Sequence, residues 1–590
     1  MTQTPPESHR SPASAAATPD AGAATQRARS GSAVPPGTLV PLFVGLMLAM
    51  LLASLNQTVF STALPTIVGE LNGVSQMVWV ITAYILATTI VMPIYGKLGD
   101  QIGRRPLLIA AITLFMIGSV VGGLATDMGM LILARVIQGI GGGGLMILAQ
   151  AAIADVVPAR ERGKYMGVMG GVFALSSVVG PLLGGWFTDG PGWRWTFWIN
   201  IPIGLLALLA AVLFLKLPRL HQGRPTLDWL GMALIAAATT SMVLVSTWGG
   251  GTYAWTDPVI LGLIAVFVVS AVAFVMVERR AAEPLIPMSL FRERNFVLTT
   301  VAGLFIGVSM FGALGYMPTY LQMSFGLEAS VAGLMMIPMM GAMLITSTGS
   351  GALISRYGAY KWYPVVGAVV IAGAMGLLSL MDPHQPLWLA CAYMGLLGIG
   401  LGLSMQNLVL IVQNTFPVTM VGTATASNNY FRQIGATLGS SLVGSLFASR
   451  LADLLIDRLP SGGAAQMGSA ESLTPAAVSA LPEPLHDLVI TAYSDALTPI
   501  FLWIAPLGLL AALLLAFVTE KPLATRIERP VDSEPLATGS LSIISRRADS
   551  TESEAAERAE AAEGAEAAER AEPGQDADPA RRPAEALRTP

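Results

Sequence analysis

Long apolar segments, separated by short polar breaks, follow one another along most of this chain. Most are roughly 18–25 residues long, and an α-helix of that length crosses a hydrocarbon layer about 30 Å thick. The pattern predicts fourteen membrane-spanning helices, near residues 40–67, 77–96, 107–126, 128–154, 164–187, 195–215, 229–248, 258–277, 296–318, 330–354, 364–381, 387–413, 422–448 and 498–518. The chain is therefore predicted to be an all-α polytopic membrane protein.

Composition supports this prediction. Of the 590 residues, 53% are hydrophobic and 12% are charged, which is far more apolar surface than a soluble protein of this length buries. The single cysteine, Cys391, lies within an apolar run, so an internal disulfide and a cysteine-based metal site are excluded. We expect no metal, no organic cofactor and no nucleic-acid partner.

The two ends of the chain differ from its apolar centre. Residues 1–37 are rich in Ala, Pro, Ser and Thr, and residues 551–586 form a low-complexity Ala/Glu/Arg segment. Such compositions bury too little apolar surface to offset the entropy cost of folding. We predict disordered tails at 1–37 and 519–590.

Basic residues in the short loops predict the orientation of the spans. One set of alternate loops contains Lys97, Arg104, Arg105, Arg160, Arg162, Lys164, Lys216, Arg219, Arg224, Arg279, Arg280, Arg292, Arg294, Arg356 and Lys361. The opposite set contains only Arg194, Arg450 and Arg458. Because loops rich in Lys and Arg stay in the cytoplasm, both tails are predicted to be cytoplasmic. The long loop 449–497 is then extracellular, either as a plain connector or as a lid with a short amphipathic helix.

Polar side chains interrupt the apolar runs of the N-terminal half at a few places. The first run contains the stretch LNQT, and the fourth contains Arg135. An arginine at the centre of a span costs about 2.5–3.5 kcal/mol on insertion scales, so it usually faces a bundle interior or an aqueous cavity. The alternative is that Arg135 extends to the membrane surface. The cavity candidates of this half are Asn56, Gln57, Thr58, Tyr84, Arg135 and Gln138.

The C-terminal half has its polar residues in two runs, GLSMQNLVLIVQN and SNNYFRQIGATLGSS. Each amide is as compatible with a hydrogen bond between helices as with a contact to a substrate. Their number predicts that some of them face a cavity. The candidates are Gln406, Asn407, Asn428, Asn429 and Arg432.

The loop between the second and third runs reads GKLGDQIGRRP (Gly96–Pro106). Its glycines allow two helix ends to approach closely across a tight turn. Its acid and two arginines are suited to charge-assisted hydrogen bonds between helix ends. The spacing therefore predicts a conformational joint rather than a loop that serves orientation only. The residues of this joint are Gly96, Asp100, Gly103, Arg104 and Arg105.

This segment resembles the loop 2–3 signature of the major facilitator superfamily, and the chain resembles the fourteen-helix drug:proton antiporter branch over roughly residues 40–520. LARVIQGIGGGG (Leu133–Gly144) resembles the fourth-helix motif of the family, and WRWTFWINIPIG (Trp193–Gly204) resembles the segment that enters helix six. SSVVGPLLGGW (Ser176–Trp186) resembles the fifth-helix antiporter motif, although Ser176 replaces the usual glycine. Its proline removes a backbone donor, and its glycines permit close packing. The conformational residues of this motif are Gly180, Pro181, Gly184 and Gly185.

The resemblance implies a major facilitator fold of two six-helix bundles, helices 1–6 and 9–14, with helices 7 and 8 inserted between them. The corresponding ranges are 38–216, 295–518 and, for the inserted pair with its linkers, 217–294. It also implies a central cavity that opens alternately to each side as the bundles rock. By the same resemblance, Asp155 is the partner of the loop 2–3 arginine. We predict that Asp100, Arg104, Arg105 and Asp155 form a charge cluster that latches the outward-open state.

One position departs from the family's pattern. The first helix of the fourteen-helix antiporters resembles L-D-x-T-(V/I)-x-x-x-A-L-P, whereas this chain reads LNQTVFSTALP, with Asn56 in place of the acid. Asparagine does not titrate, and no acid lies near the middle of another predicted span. Three alternatives follow. Asp155, Asp127, Glu328 or another peripheral acid carries the proton, coupling uses a different geometry such as one with a charged substrate, or the protein is an uncoupled facilitator or lipid-like exporter.

The predicted function is export of lipophilic or amphiphilic compounds, such as drugs and dyes, by alternating access driven by the proton gradient. The rival hypotheses are export of one specific lipid or secondary metabolite, and a sensor that has lost transport. An enzyme is not expected, because no nucleophile triad, metal cluster or nucleotide-binding loop occurs in a workable context. We expect a monomer in the bacterial inner membrane, with the lipid bilayer and a small lipophilic substrate as its partners.

Overall fold

The computed structural model describes residues 39–71, 73, 76–215, 227–250, 252–458, 478 and 481–525. The helices of this part are α1 (Leu39–Glu70), α2 (Met77–Ile102), α3 (Arg104–Gly123), α4 (Met128–Val156), α5 (Ala159–Asp189), α6 (Trp195–Phe214), α7 (Trp229–Trp248), α8 (Pro258–Glu278), α9 (Arg294–Phe325), α10 (Val331–Tyr357), α11 (Trp362–Leu378), α12 (Leu387–Thr415), α13 (Val421–Arg458) and α14 (Glu483–Ala516). The helices α6, α9 and α10 are each interrupted once, two or three residues before Pro202, Pro318 and Pro338. A proline cannot donate to the preceding turn, which explains these breaks.

Each of the fourteen predicted runs corresponds to one of these helices. Thirteen are long and apolar enough to cross a membrane, and α11 is a shorter apolar helix. Gly103, between α2 and α3, and Gly358, after α10, have φ values of 96° and 82°. Only glycine adopts that backbone region without strain, so both tight turns require it.

The last two helices are longer than predicted. Helix α13 continues to Arg458 instead of 448, and α14 begins at Glu483 instead of 498, so helices occupy much of the predicted loop 449–497. The two extensions contact each other through an ion pair on their surfaces, with Arg458 Nη2 2.6 Å from Asp495 Oδ2. Residues 459–477, where a lid was one alternative, lie outside the described residues.

The start of the predicted C-terminal tail was also placed too early, because residues 519–525 pack against helix ends. Thr519 donates from its N and Oγ1 to Asn295 Oδ1, at 2.9 and 3.0 Å. Farther along, the Ala524 carbonyl accepts a hydrogen bond from Arg160 N at 3.1 Å. The rest of both predicted tails lies outside the described residues.

The helices pack as two bundles of the same design. In the first, α1 packs against α5 and α6, α4 packs against α2 and α3, and α3 packs against α6. In the second, α9 packs against α13 and α14, α12 packs against α10 and α11, and α11 packs against α14. Each packed pair in the first bundle has an equivalent pair in the second, with helix numbers that are higher by eight, for example α1 with α5 and α9 with α13. The predicted pair of six-helix bundles is thus confirmed.

The two inserted helices, α7 and α8, pack on each other, and α7 also packs against α2 and α13. Helix α8 exposes apolar side chains such as Leu261, Val269 and Val272, as a helix in contact with lipid does. Between this pair and α13 lies an apolar cavity of about 440 Å³, whose lining includes Phe274 and Phe431.

The two bundles meet through glycine contacts at the end of the helices that holds Gly96–Pro106, which we call the motif end. There α2 packs on α13, and α5 packs on α10. A Cβ atom on Gly96 would lie 2.8 Å from the Gly422 carbonyl oxygen, and one on Gly163 would lie 2.9 Å from the Gly351 carbonyl oxygen. These distances leave no room for a side chain, so glycine is what allows the helices to approach this closely.

We expect Gly351→Ala to separate the bundles at the motif end, because its Cβ atom would overlap the Gly163 carbonyl oxygen. Gly349, two residues earlier in α10, has no atom within 4 Å of the place a Cβ would take. Gly349→Ala is therefore a matched control, since alanine is more favourable than glycine inside a helix by about 1 kcal/mol and both changes gain this term.

Spin labels on cysteines at the exposed positions Pro106 and Tyr357, in a Cys391→Ser background, report the separation by double electron–electron resonance. We expect a longer distance in Gly351→Ala and an unchanged distance in Gly349→Ala. The same distance in both variants would contradict the close packing.

Candidate functional site

Asp100, near the end of α2, binds the first turn of α13 in the other bundle. Its Oδ1 accepts from Gly422 N at 3.0 Å, and its Oδ2 accepts from Thr423 N and Oγ1, both at 2.7 Å. The N–H groups of a first helical turn have no partner within their own helix. The carboxylate therefore caps α13, and its negative charge interacts favourably with the positive end of the helix dipole. Because Asp100 and α13 belong to different bundles, this contact also joins the bundles.

Arg104 holds this carboxylate in place. Its Nη1 lies 3.0 Å from Asp100 Oδ1, and its Nε lies 2.5 Å from Asp155 Oδ2. The Arg104 side chain is only 1% exposed, so its charge depends on these two acids. The structure thus brings together three of the four residues predicted as a charge cluster. The prediction was wrong for Arg105. Its side chain points about 100° away from that of Arg104 around the axis of α3, and its Nη2 donates to the Val212 carbonyl at 2.7 Å.

The second bundle has a counterpart of this joint without a carboxylate. Ser355 precedes Gly358 by three residues, as Asp100 precedes Gly103. Its Oγ accepts from Lys164 N in α5 at 3.2 Å. Arg160 crosses the same contact and donates from Nε to the Ser355 carbonyl at 3.3 Å and from Nη2 to the Arg356 carbonyl at 3.1 Å, so both halves of the motif end contain charge-assisted hydrogen bonds.

A second polar layer joins the bundles deeper in the protein, beside α4. The Gln150 carbonyl accepts from Gln413 Nε2 at 3.2 Å, and Gln150 Oε1 accepts from Asn429 Nδ2 at 3.1 Å. Arg162 Nη1 donates to the Gln413 carbonyl at 3.4 Å. Asn429, a cavity candidate, is therefore a contact between bundles. Gln150 was missed, and the only signal for it was a polar residue in an apolar run.

Two glycines of the fifth-helix motif bring α5 close to α1. A Cβ atom on Gly180 would overlap Thr58, and one on Gly184 would overlap Thr62. Thr58 Oγ1 also donates to the Ser176 carbonyl at 2.9 Å. Thr58, predicted to face the cavity, therefore lies in the contact between α1 and α5.

The other two residues of this motif differ in their surroundings. Gly185 has no atom within 4 Å of the place a Cβ would take, so its predicted role in close packing is wrong. Pro181 lies inside α5, where its ring removes one backbone donor as predicted.

Arg135 is buried inside the first bundle and forms no ion pair with any described residue. Its Nη1 donates to Gln138 Oε1 at 3.1 Å, and its Nε donates to the Val80 carbonyl at 3.4 Å. The guanidinium carbon lies 4.3 and 4.2 Å from the ring centroids of Phe60 and Tyr84. Both rings stabilise the cation through their π faces. Since Arg135 is 2% exposed, it does not extend to the membrane surface.

Asn56 belongs to the same cluster and is 2% exposed. Its Oδ1 lies 3.4 Å from Gln138 Nε2 and 3.4 Å from Asn200 Nδ2. Gln138 Nε2 also donates to Ser119 Oγ at 2.8 Å. Asn56 is thus linked to Arg135 through Gln138. Neither Ser119 nor Asn200 was identified from the sequence.

A central cavity lies between the bundles, on the side away from the motif end. Its wide part has a volume of about 580 Å³, and an adjoining floor has a volume of about 80 Å³. The residues that line both parts are Gln57, Ile85, Phe311, Gln433 and Ala436. Of the predicted cavity residues, Gln57, Tyr84 and Arg432 line it. A mostly apolar cavity of several hundred Å³ is typical of a site for a small organic molecule.

Methionine and aromatic side chains form the floor of this cavity. They include Met92, Met146, Phe173, Met310 and Met405. The unbranched thioether of methionine adapts to differently shaped ligands. The floor is therefore suited to the apolar body of a substrate.

Two other polar candidates of the second bundle form hydrogen bonds between helices. Asn407 Nδ2 donates to Ser350 Oγ at 3.3 Å, and Asn428 Nδ2 donates to Thr300 Oγ1 at 3.1 Å. For these two residues the interhelical alternative applies. Gln406 is 5% exposed and is not among the residues that line either part of the cavity, and its Oε1 has no hydrogen-bond partner among the described residues.

The segment that enters α6 ties it to the end of α1. Trp193 Nε1 donates to Glu70 Oε2, and Arg194 Nη1 donates to Glu70 Oε1, both at 2.7 Å. The Arg194 guanidinium, followed by the Trp193 indole, holds the pKa of Glu70 below its usual range. The Trp-Arg pair of this motif therefore anchors helix ends away from the motif end.

The sequence model of the Major Facilitator Superfamily matches residues 46–440. The chain belongs to this superfamily. It is a multi-pass membrane transporter and not an enzyme, as the apolar pattern and the motifs predicted.

Relatives extend this match over most of the chain. An uncharacterized MFS-type transporter of Mycobacterium tuberculosis is 40% identical over 483 residues, 82% of this chain and 70% of that protein. The multidrug transporter protein MdtP of Bacillus subtilis is 38% identical over 418 residues, 71% of this chain and 77% of that protein. The solved structure of the proton:xylose symporter XylE is 17% identical, with a TM-score of 0.54, and covers 82% of this chain and 97% of that one. The last comparison supports the major facilitator fold.

We expect Asp155→Asn to weaken the closed motif end. Breaking a buried ion pair costs about 3–5 kcal/mol, whereas an exposed pair is worth only about 0–1 kcal/mol. Asp495→Asn, which breaks the exposed pair with Arg458, is the control. The distance between the labels at the motif end should lengthen in Asp155→Asn only. Unchanged distance and unchanged transport in Asp155→Asn would show that the cluster is not a latch.

We expect Arg135→Gln to impair transport far more than folding. A guanidinium buried without an acid is costly to desolvate, so its removal should leave the unfolding temperature in detergent unchanged or higher. Transport should fall at least tenfold. Arg135→Lys is the matched variant, because it keeps the charge but loses the flat stacking between Phe60 and Tyr84. Normal transport by a less stable Arg135→Gln protein would assign this residue to folding alone.

Proposed function

We propose that this superfamily member exports lipophilic or amphiphilic compounds by alternating access. The observation that carries this proposal is the mostly apolar cavity of about 580 Å³ between two bundles that are joined at one end. Its methionine-rich floor suits substrates of varied shape. The name of the Bacillus subtilis relative, a multidrug transporter protein, supports efflux of this kind.

The orientation that we propose places the motif end in the cytoplasm. Its loops contain many of the basic residues of the chain, including Lys97, Arg104, Arg160 and Lys164. In that orientation the cavity lies toward the outside and the tails are cytoplasmic. We further propose a monomer in the bacterial inner membrane, with the lipid bilayer and a small lipophilic substrate as partners.

We propose the proton gradient as the energy source, with no metal or organic cofactor. The described residues that line the cavity include no Asp and no Glu, and Asn56 cannot titrate. The candidates for a proton carrier are therefore Asp100 and Asp155. Their carboxylates are bound to Arg104 or to α13 in this state and would meet water when the motif end opens.

Dye flux in proteoliposomes tests this proposal. Wild type should move a lipophilic dye toward the outer side, and an imposed proton gradient should accelerate the flux. Asp155→Asn should lose that acceleration, whereas Asp495→Asn should keep it. Absence of flux in wild type would refute export and favour a sensor. An equal rate of flux with and without the proton gradient would favour an uncoupled facilitator.

Asn56→Asp is the complementary variant. Its carboxylate would accept hydrogen bonds from the amides of Gln138 and Asn200, whose distances to Asn56 Oδ1 are 3.4 Å. If native coupling bypasses the first helix, this variant should acquire a steeper dependence of flux on pH than wild type. An unchanged pH dependence would show that position 56 is not connected to transport.

A further inference from the structure

We propose that the central cavity selects negatively charged amphiphiles and that Arg432 binds their anionic group. This inference rests on the proposed export function and adds the charge and shape of the substrate to it. It follows from the position of Arg432 and from the charges of the cavity wall.

Arg432 belongs to α13 and lines the floor of the cavity, next to Gln433. Its Nη2 donates to Asn429 Oδ1 at 2.5 Å, and it forms no ion pair with any described residue. A guanidinium has five N–H donors in a planar fork. Asn429 is a neutral partner, so a ligand in the floor would meet a cation whose charge is not balanced by an acid.

Among the described residues, the cavity wall provides no countercharge. The described residues that line both parts are apolar or neutral polar, except for Arg432. In a site of low dielectric constant an isolated guanidinium repels a cationic ligand strongly. An anion instead offsets the desolvation cost of the guanidinium and forms charge-assisted, bidentate hydrogen bonds with it.

The surroundings of Arg432 define the rest of the ligand. Gln57 and Gln433 line both parts of the cavity and offer neutral hydrogen-bonding groups. Met146, Phe173 and Met310 provide an apolar surface in the same floor. The ligand class that fits is an organic anion, a carboxylate or sulfonate, attached to an aromatic or aliphatic body.

Arg135 provides an internal comparison. It is also an arginine without an acid, but Phe60 and Tyr84 cover it, and it is absent from the cavity lining. Its guanidinium therefore contacts rings and neutral acceptors inside the bundle, whereas that of Arg432 faces the ligand space. In the proposed orientation a negative interior also drives an anion outward, so such a substrate needs no carboxylate in the cavity to be exported.

A matched set of probes tests this inference. Dansyl sulfonate, dansylamide and dansylcadaverine share one fluorophore and carry a negative, neutral and positive group. Their binding to the purified full chain is measured by isothermal titration calorimetry, in wild type, Arg432→Gln and Arg432→Lys. Arg458→Gln removes an exposed positive charge outside the cavity and is the control.

We expect wild type to bind the sulfonate at least tenfold more tightly than the amide, and the cation least tightly. Arg432→Gln should weaken sulfonate binding at least tenfold and change amide binding less than twofold, whereas Arg432→Lys should lie between. Arg458→Gln should match wild type. Equal binding of sulfonate and amide by wild type, or an equal loss for both in Arg432→Gln, would overturn the inference.

Flux of the same probes in proteoliposomes separates this inference from the export proposal. Flux of all three probes at similar rates, insensitive to Arg432→Gln, would refute anion selectivity and leave export intact. Selective sulfonate binding without flux of any probe would refute export and leave the assignment of Arg432 intact.

Discussion

The hydrogen bonds that the Asp100 carboxylate accepts from the first turn of α13 are the interaction on which the arrangement of the two bundles depends. Gly96 and Gly422 bring the backbones close enough for these bonds, and Arg104, between Asp100 and Asp155, holds the carboxylate. A helix terminus has unpaired N–H groups that need a partner wherever water is excluded. When the motif end is closed, the N–H groups of Gly422 and Thr423 donate to the Asp100 carboxylate. When it opens, water takes the place of the carboxylate as their acceptor.

Two arginines within the membrane region have different environments, although neither has an acidic partner among the described residues. Arg135 lies between the rings of Phe60 and Tyr84 and donates hydrogen bonds to the Val80 carbonyl and the Gln138 amide. Through Gln138 it is connected to Asn56 of α1. Arg432 faces the cavity floor. A charge with its partners inside a bundle favours one packing arrangement, whereas a charge without them favours a ligand of opposite sign.

Much of the fold was predictable, because a helix must cross a hydrocarbon layer of fixed thickness and its apolar length is visible in the sequence. The end of α13 and the start of α14 were not, since an α-helix can continue beyond the apolar length that a membrane requires, as these two do over the region where Arg458 pairs with Asp495. Most of the charge cluster was predictable, Asp100 and Arg104 from residue spacing and Asp155 from the resemblance to the family. Arg105 was not, because a neighbour on a helix points in another direction and its partner, Val212, lies on α6.

The sequence by itself determined the all-α membrane fold, the order of the described helices, the superfamily, and the chemistry available at the motif end. Only the tertiary structure decided which polar residues face the cavity. Asn56 and Gln57 are adjacent in the stretch LNQT, yet Asn56 is buried against Gln138 and Asn200, and Gln57 lines the cavity. Successive residues on a helix point about 100° apart. The contacts of each side chain depend on which helices pack beside it, and this packing is decided only in the assembled bundles.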